Sequence, residues 1–149
     1  DEALLAFTRR LIDFRKEHPV LRRRRFFQGR RVHGSDIRDI TWFRPDGKLM
    51  TDEEWDAGWI RTLGTRLAGD ALGEVDEHGE PVTDATLLIL LSAHDEPIDF
   101  VLPGFLPEIQ WELVFDTSAP DREGDGPRYA VGETYELAGR SIAVFTRIE

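Results

Sequence analysis

Leu4, Phe7, Leu11, Phe14 and His18 recur at spacings of three and four, Leu5 and Ile12 widen the same face, and Arg9, Arg10, Asp13 and Lys16 take the other side. This period predicts an amphipathic helix. Asp1 stands where an N-cap belongs, and acids come early and cations late, as the helix dipole prefers. Pro19 ends the helix, because the residue before a proline avoids the helical region. The apolar face is wide for a helix of this length, which implies that it packs on something large.

Beyond the arginine run the period changes to two. Asp39–Phe43 reads as a strand ended by the turn Pro45-Asp46-Gly47. Thr51–Trp59 reads as a short helix, with Thr51 as N-cap and Glu54 completing a capping box. Thr62–Leu67 is a further strand, and the acidic, turn-rich stretch Leu72–Asp84 is a loop or hairpin tip. Thr86–Ala93 is apolar on both faces, the pattern of a strand covered on both sides. Alternation marks three more strands, around Ile98–Leu102, Trp111–Phe115 and Ile142–Ile148, and Thr134–Leu137 is a short one. Ser118–Arg128 is too polar to pack and reads as a loop. Closely spaced strands separated by turns predict a mostly β fold, an antiparallel β-sandwich preceded by one N-terminal helix.

Composition narrows the class. A chain of 149 residues suits one domain, or one domain carrying a piece of another. The hydrophobic fraction of 40% argues against wholesale disorder. The longest apolar run, Leu87–Leu91, is far below the ~20 residues of a membrane span. No charged-then-apolar leader is visible, so a cytoplasmic location is expected. The absence of cysteine excludes disulfides, thiolate metal sites and a cysteine nucleophile. The first residue is Asp1 and the single methionine is Met50, so a trimmed chain or a piece of a longer one is expected.

Charge is uneven. The net charge is −10, yet residues 1–31 carry ten basic and four acidic side chains. The acidic remainder repels nucleic acid and anionic membrane, so neither is an expected partner. Arg22, Arg23, Arg24, Arg25, Arg30 and Arg31 form the local exception. Without a companion nucleic-acid motif, the expectation is that they pair with carboxylates of this or a neighbouring domain.

Catalytic motifs are largely missing. His18, His33, His78 and His94 lack metal-binding spacing. Asp121–Gly126 resembles the start of a calcium loop, but position twelve is Gly132 where an acid belongs. No nucleophile elbow or phosphate loop occurs, and sequence cannot choose a glycosidase pair among 29 acids. No metal and no cofactor are expected. The tryptophans carry the most information. Trp111 shares a face with Leu113 and Phe115 and belongs in the core. Trp42, Trp55 and Trp59 border charged, turn-rich sequence; they are either core or interface residues, or line a groove where aromatic faces stack on sugar rings.

Two stretches carry a family resemblance: TRRLIDFRKEHPVLRRRRFFQG, which follows Phe7, and DITWFRPDGKLMTDEEWDAGW, from Asp39 to Trp59. Leu67-Ala68-Gly69, LILLSAH ending at His94, Asp99–Pro103 and Trp111-Glu112-Leu113 follow in order. The chain resembles the C-terminal region of bacterial glycogen debranching enzymes, the isoamylase-type branch of the α-amylase superfamily. Ser92 departs from the Asn expected before Ala-His. The resemblance implies a C-terminal β-domain over residues 22–149 and, over 1–21, the last helix of a (β/α)₈ barrel whose other elements are missing. It implies retaining hydrolysis of α-1,6 branch linkages in glycogen by Asp and Glu residues upstream of this region. No catalytic residue is carried over, and the fragment alone is expected to be structural and inactive. Its expected partners are the missing barrel and, through the parent enzyme, α-glucan. Trp42, Trp55 and Trp59 are the candidate cleft-facing or interdomain residues. The alternative is a stand-alone α-glucan-binding sandwich. Separated from a barrel, the helix is expected to self-associate or to repack against the sandwich.

Overall fold

The Asp1 carboxylate accepts hydrogen bonds from the backbone of Ala3 and Leu4, and from this cap α1 runs from Glu2 to Glu17. His18 is extended, and Pro19–Leu21 form a single 3₁₀ turn. The structure is a computed structural model and describes residues 1–31 and 37–149. His33 lies outside the described residues.

The strands are β1 (Ile40–Phe43), β2 (Thr62–Leu67), β3 (Leu87–Ser92), β4 (Ile98–Val101), β5 (Gln110–Asp116), β6 (Arg128–Ala130), β7 (Thr134–Leu137) and β8 (Ile142–Ile148), with α2 (Asp52–Trp55) between β1 and β2. Six strands form one antiparallel sheet in the order β1-β2-β3-β8-β5-β6, and β4 pairs with β7 in a second. The expected mostly β, antiparallel architecture with one leading helix is therefore present.

The large sheet has two apolar layers. On one face Leu88 and Leu90 of β3 join Phe43, Trp111, Leu113 and Phe145 beneath Phe100 and Leu137 of the small sheet. Trp111 lies within this core, as expected, and its indole N–H donates to the Pro103 carbonyl at 2.8 Å. On the other face Leu87 and Ile89 meet Val20, Leu67 and Leu72, joined by Phe14, Phe27 and Val82. The two-faced apolar pattern of β3 thus does what it predicted. One cover is a sheet, and the other is the segment from Val20 to Phe27 together with the loop before β3.

Two carboxylates hold that second cover. Asp39 accepts from the backbone N–H groups of Gln28, Gly29 and Ile40 at 2.8–2.9 Å and from Arg23 at 3.3 Å. Asp84 accepts from Val20 N at 3.0 Å and lies 2.8 Å from His18 Nδ1. Gly69 must be glycine here, because a Cβ would sit 2.1 Å from the Asp84 carbonyl oxygen. Arg23 accordingly pairs with a carboxylate of its own chain, as expected for the arginine run.

The apolar stripe of α1 is divided. The Phe7 and Phe14 rings meet Phe115 edge-on, at centroid distances of 6.1 and 5.5 Å. Between them Arg10 donates to the carbonyls of Val114, at 2.6 Å, and Arg122. The β5–β8 register shifts between Leu113 and Phe115, so Val114 sits at a bulge that frees its carbonyl for Arg10. Leu4, Leu5 and Ile12 stay exposed, at 62%, 50% and 49%.

Two elements differ from the sequence expectation. The helix expected over Thr51–Trp59 ends at Trp55. Asp52, Glu53 and Glu54 suit a helix N-terminus, but Asp56 meets its negative end and Gly58 follows closely, so it stops after one turn. Strand β6 begins at the end of the segment read as a loop. Tyr129, opposite Trp111, is the one aromatic among polar neighbours there, too short a pattern to show alternation.

Asp39→Ala leaves three part-buried N–H hydrogen bonds and Arg23 without their acceptor. It is expected to cost about 2–4 kcal/mol in urea denaturation; a loss under about 0.5 kcal/mol would contradict this role for Asp39.

Candidate functional site

The residues after β1 build the most organised surface feature. Arg44 N donates to the Lys48 carbonyl and Gly47 N to the Arg44 carbonyl, closing the Pro45-Asp46-Gly47 turn with Gly47 at φ +79°. This positive φ is easy for glycine and strained for other residues. The turn leans on β4, where Val101 N donates to the Pro45 carbonyl at 2.8 Å. Thr51 and Glu54 then form the expected capping box of α2.

Arg44 joins turn to helix. Its guanidinium donates to both oxygens of Asp46 and, at 2.6 Å, to Glu54 Oε1. The other Glu54 oxygen accepts from Thr51 N at 2.8 Å. One carboxylate therefore caps the helix and grips the arginine. The Arg44 guanidinium holds Asp46 below its ordinary 3.8. Glu54 lies below its ordinary 4.5 because of the Thr51 N–H first, with Arg44 adding to it.

The three candidate tryptophans separate into two environments. Trp42 of β1 and Trp55 of α2 meet edge-to-face with centroids 5.4 Å apart, which pins α2 onto the sheet. Trp42 is half-buried and Trp55 is 48% exposed. Trp59 is 76% exposed and borders a groove of about 200 Å³. Pro45, Ile60 and Ile98 supply apolar lining, with Arg44, Glu54 and His94 around it. An open indole beside fixed hydrogen-bonding groups is suited to a sugar ring, which has an apolar face and a polar rim. Arg44, Asp46, Glu54 and His94 were not singled out as site residues from sequence. The Arg-Pro-Asp-Gly turn and the capping box were the available signals.

Among the described residues no three His, Asp or Glu side chains gather as a metal site, the Asp121–Gly126 turn included.

The profile of one family, described as isoamylase, C-terminal, matches residues 39–146, from Asp39 through most of β8. This chain belongs to the isoamylase C-terminal family. A glycogen operon protein GlgX homolog of Mycobacterium tuberculosis is 38% identical over 145 residues, covering 97% of this chain and 20% of the relative. A glycogen debranching enzyme of Dickeya chrysanthemi is 31% identical over 126 residues, 85% of this chain and 15% of the relative. An isoamylase of a Flavobacterium species is 28% identical over 112 residues, 75% and 13%. The chain thus spans about a fifth or less of the length of these relatives. The Arg44 turn and α2 both lie inside the isoamylase C-terminal match.

Because the folded values of Asp46 and Glu54 are depressed, their contribution to local order is present above the ordinary carboxylate values. It is lost as pH falls through the depressed ones. Side-chain carboxyl shifts followed by NMR should give midpoints below 3.8 for Asp46 and below 4.5 for Glu54. Arg44→Met should move both upward, Asp46 more. Unshifted midpoints in the unsubstituted chain would contradict the network.

Proposed function

We propose that this chain is the C-terminal β-domain of a cytoplasmic glycogen debranching enzyme that hydrolyses α-1,6 branch linkages. On this reading residues 1–21 form the last helix of a catalytic (β/α)₈ barrel and residues 22–149 the β-domain. The observation that carries the reading is the coverage. Nearly the whole chain aligns with a GlgX homolog, and most of it with a debranching enzyme and an isoamylase, yet it accounts for a small fraction of each. The carboxylates of the retaining mechanism would then lie in the remainder of the parent chain, and the domain described here would act structurally.

Helix α1 fits that position. Phe7, Arg10 and Phe14 engage the β-domain, while Leu4, Leu5 and Ile12 face outward as a second apolar surface for barrel elements. Neither nucleic acid nor a membrane is a partner on this reading. Among the described residues no helix is long and apolar enough to cross a membrane.

A second contribution is favoured by the exposure of Trp59. The groove beside it would hold an α-glucan chain, the indole stacking on a glucose ring while Arg44 and Glu54 meet its hydroxyls. The same contact would serve a stand-alone glucan-binding module.

The intact gene product carrying this chain is expected to release linear chains from glycogen, read by iodine staining, and residues 1–149 alone to release none. Trp59→Ala in the intact product should raise KM for glycogen about tenfold with little change in kcat, the size expected when a stacking contact is removed. An inactive intact product, or activity in the isolated chain, would sink the debranching-domain reading; unchanged KM would sink the groove.

Freed from a barrel, the exposed face of α1 should draw two copies together. Light scattering of the isolated chain should give a dimer, and Leu5→Arg with Ile12→Arg a monomer. A monomer without the substitutions would refute self-association through this face.

A further inference from the structure

Several arginines of this chain meet strong acceptors: Arg10 two backbone carbonyls, Arg23 Asp39, Arg44 Asp46 and Glu54, and Arg128 Glu112. Arg66 on β2, next to the edge strand, does not among the described residues. On β2, Gly64 lies against Phe100 of the small sheet. Two residues on, Arg66 shares that face but extends beyond β4, with its guanidinium over the Phe105 ring at 5.2 Å. Among the described residues its one hydrogen bond is from Nη2 to Thr41 Oγ1 at 3.3 Å, and its Nε is buried without a partner. No carboxylate forms an ion pair with it among the described residues.

This is an expensive arrangement. A half-buried cation gives up hydration, and among the described residues Asp70 attracts it without forming an ion pair. Burial pushes the Arg66 pKa down from its ordinary value and the nearby Arg147 acts in the same direction, while Asp70 partly opposes them. An apolar side chain would serve packing better at this position, so the charge points to an anion that arrives from elsewhere.

The surroundings constrain that anion. Arg66 and Thr41 form one side of a groove of about 440 Å³, with Arg31 and Arg38 bordering it and Phe105 and Leu49 as apolar walls. The volume falls in the range of small-molecule sites. Phe105 is 68% exposed and Leu49 49% exposed, so a ligand entering the groove meets apolar surface beside the guanidinium groups. Guanidinium groups match the oxygens of a phosphate, and apolar walls suit a ring attached to it. The chain's net charge of −10 opposes an extended polyanion while leaving room for a small one within the groove.

We propose that the Arg66 groove is a binding site for a sugar phosphate, with Arg66 and Arg38 on the phosphate and Phe105 and Leu49 against the ring. It lies on residues distinct from the Trp59 groove and does not depend on what the parent enzyme hydrolyses.

The test is calorimetric titration of the intact gene product with glucose 6-phosphate, AMP, inorganic phosphate and glucose. Glucose 6-phosphate or AMP is expected to bind with a Kd below about 1 mM at low ionic strength and to weaken as salt is raised. Arg66→Met should weaken binding at least about tenfold, the size expected when a charge-assisted hydrogen bond is removed. Arg38→Met, at an exposed position, should weaken it less while leaving the fold intact, and it decides the matter if Arg66→Met does not fold. Absence of binding by either phosphorylated compound would overturn the proposal. So would binding of glucose or inorganic phosphate as tight as theirs, or unchanged affinity in a folded Arg66→Met or in Arg38→Met.

Discussion

Strand β3 has to be kept dry on both sides. Leu88 and Leu90 point one way, Leu87 and Ile89 the other, and the first three of these are fully buried. A strand of this kind cannot sit in a sheet with one solvated face, so the fold needs two covers. The small sheet β4–β7 is one. Among its described residues the other has no helix or strand beyond a 3₁₀ turn, and irregular backbone over a core must find acceptors for its N–H groups. Asp39 and Asp84 supply them. Their position beneath the cover rather than on the surface follows from that need, and it is why two carboxylates are tolerated beside an apolar layer.

The same logic of one carboxylate serving several donors recurs at the surface. Glu54 closes the first turn of α2 and holds Arg44, while Arg44 grips the Asp46 turn. Exposed ion pairs contribute little individually. Here the pair is fastened at both ends to backbone, through the cap at Thr51 and the turn at Lys48. The Arg44 side chain is thereby restricted before any ligand arrives, which lowers the ordering cost that a ligand would otherwise meet. Trp59 next to it is open, so the groove combines a fixed polar edge with an exposed aromatic one.

Much of this was legible in the sequence because it is local. Asp1, Pro19, Thr51 with Glu54 and the Pro45–Gly47 turn act over a few residues, and each does in the fold what its spacing predicts. The apolar run of β3 disclosed its two covers without disclosing what they were. What escaped was long-range. Separating Trp59 from the Trp42–Trp55 pair depends on where α2 stops, and the bulge at Val114 depends on how β5 meets β8. The isolated position of Arg66 is not visible from its neighbours, since Thr65-Arg66-Leu67 reads as ordinary alternation in a half-exposed strand. Its oddity appears only once Phe105 and Thr41 are brought beside it and, among the described residues, no acid comes close enough to form an ion pair.

The bulge also bears on where the physical unit begins. The family match starts at Asp39. The packing starts earlier, at Phe7, whose ring meets Phe115, and at Arg10, which takes the carbonyl that the bulge releases. A regular β5 would spend the Val114 carbonyl on its neighbour and leave Arg10 only the Arg122 carbonyl. Helix and bulge are therefore complementary features, although more than 100 residues separate Arg10 from Val114. A helix whose only attachment was to a barrel would have no use for such a contact. α1 is better understood as a piece with two working faces, one already joined to the β-domain and one open at Leu4, Leu5 and Ile12. A helix of that kind joins whatever packs on its open side to β5 through contacts that it already makes on the other.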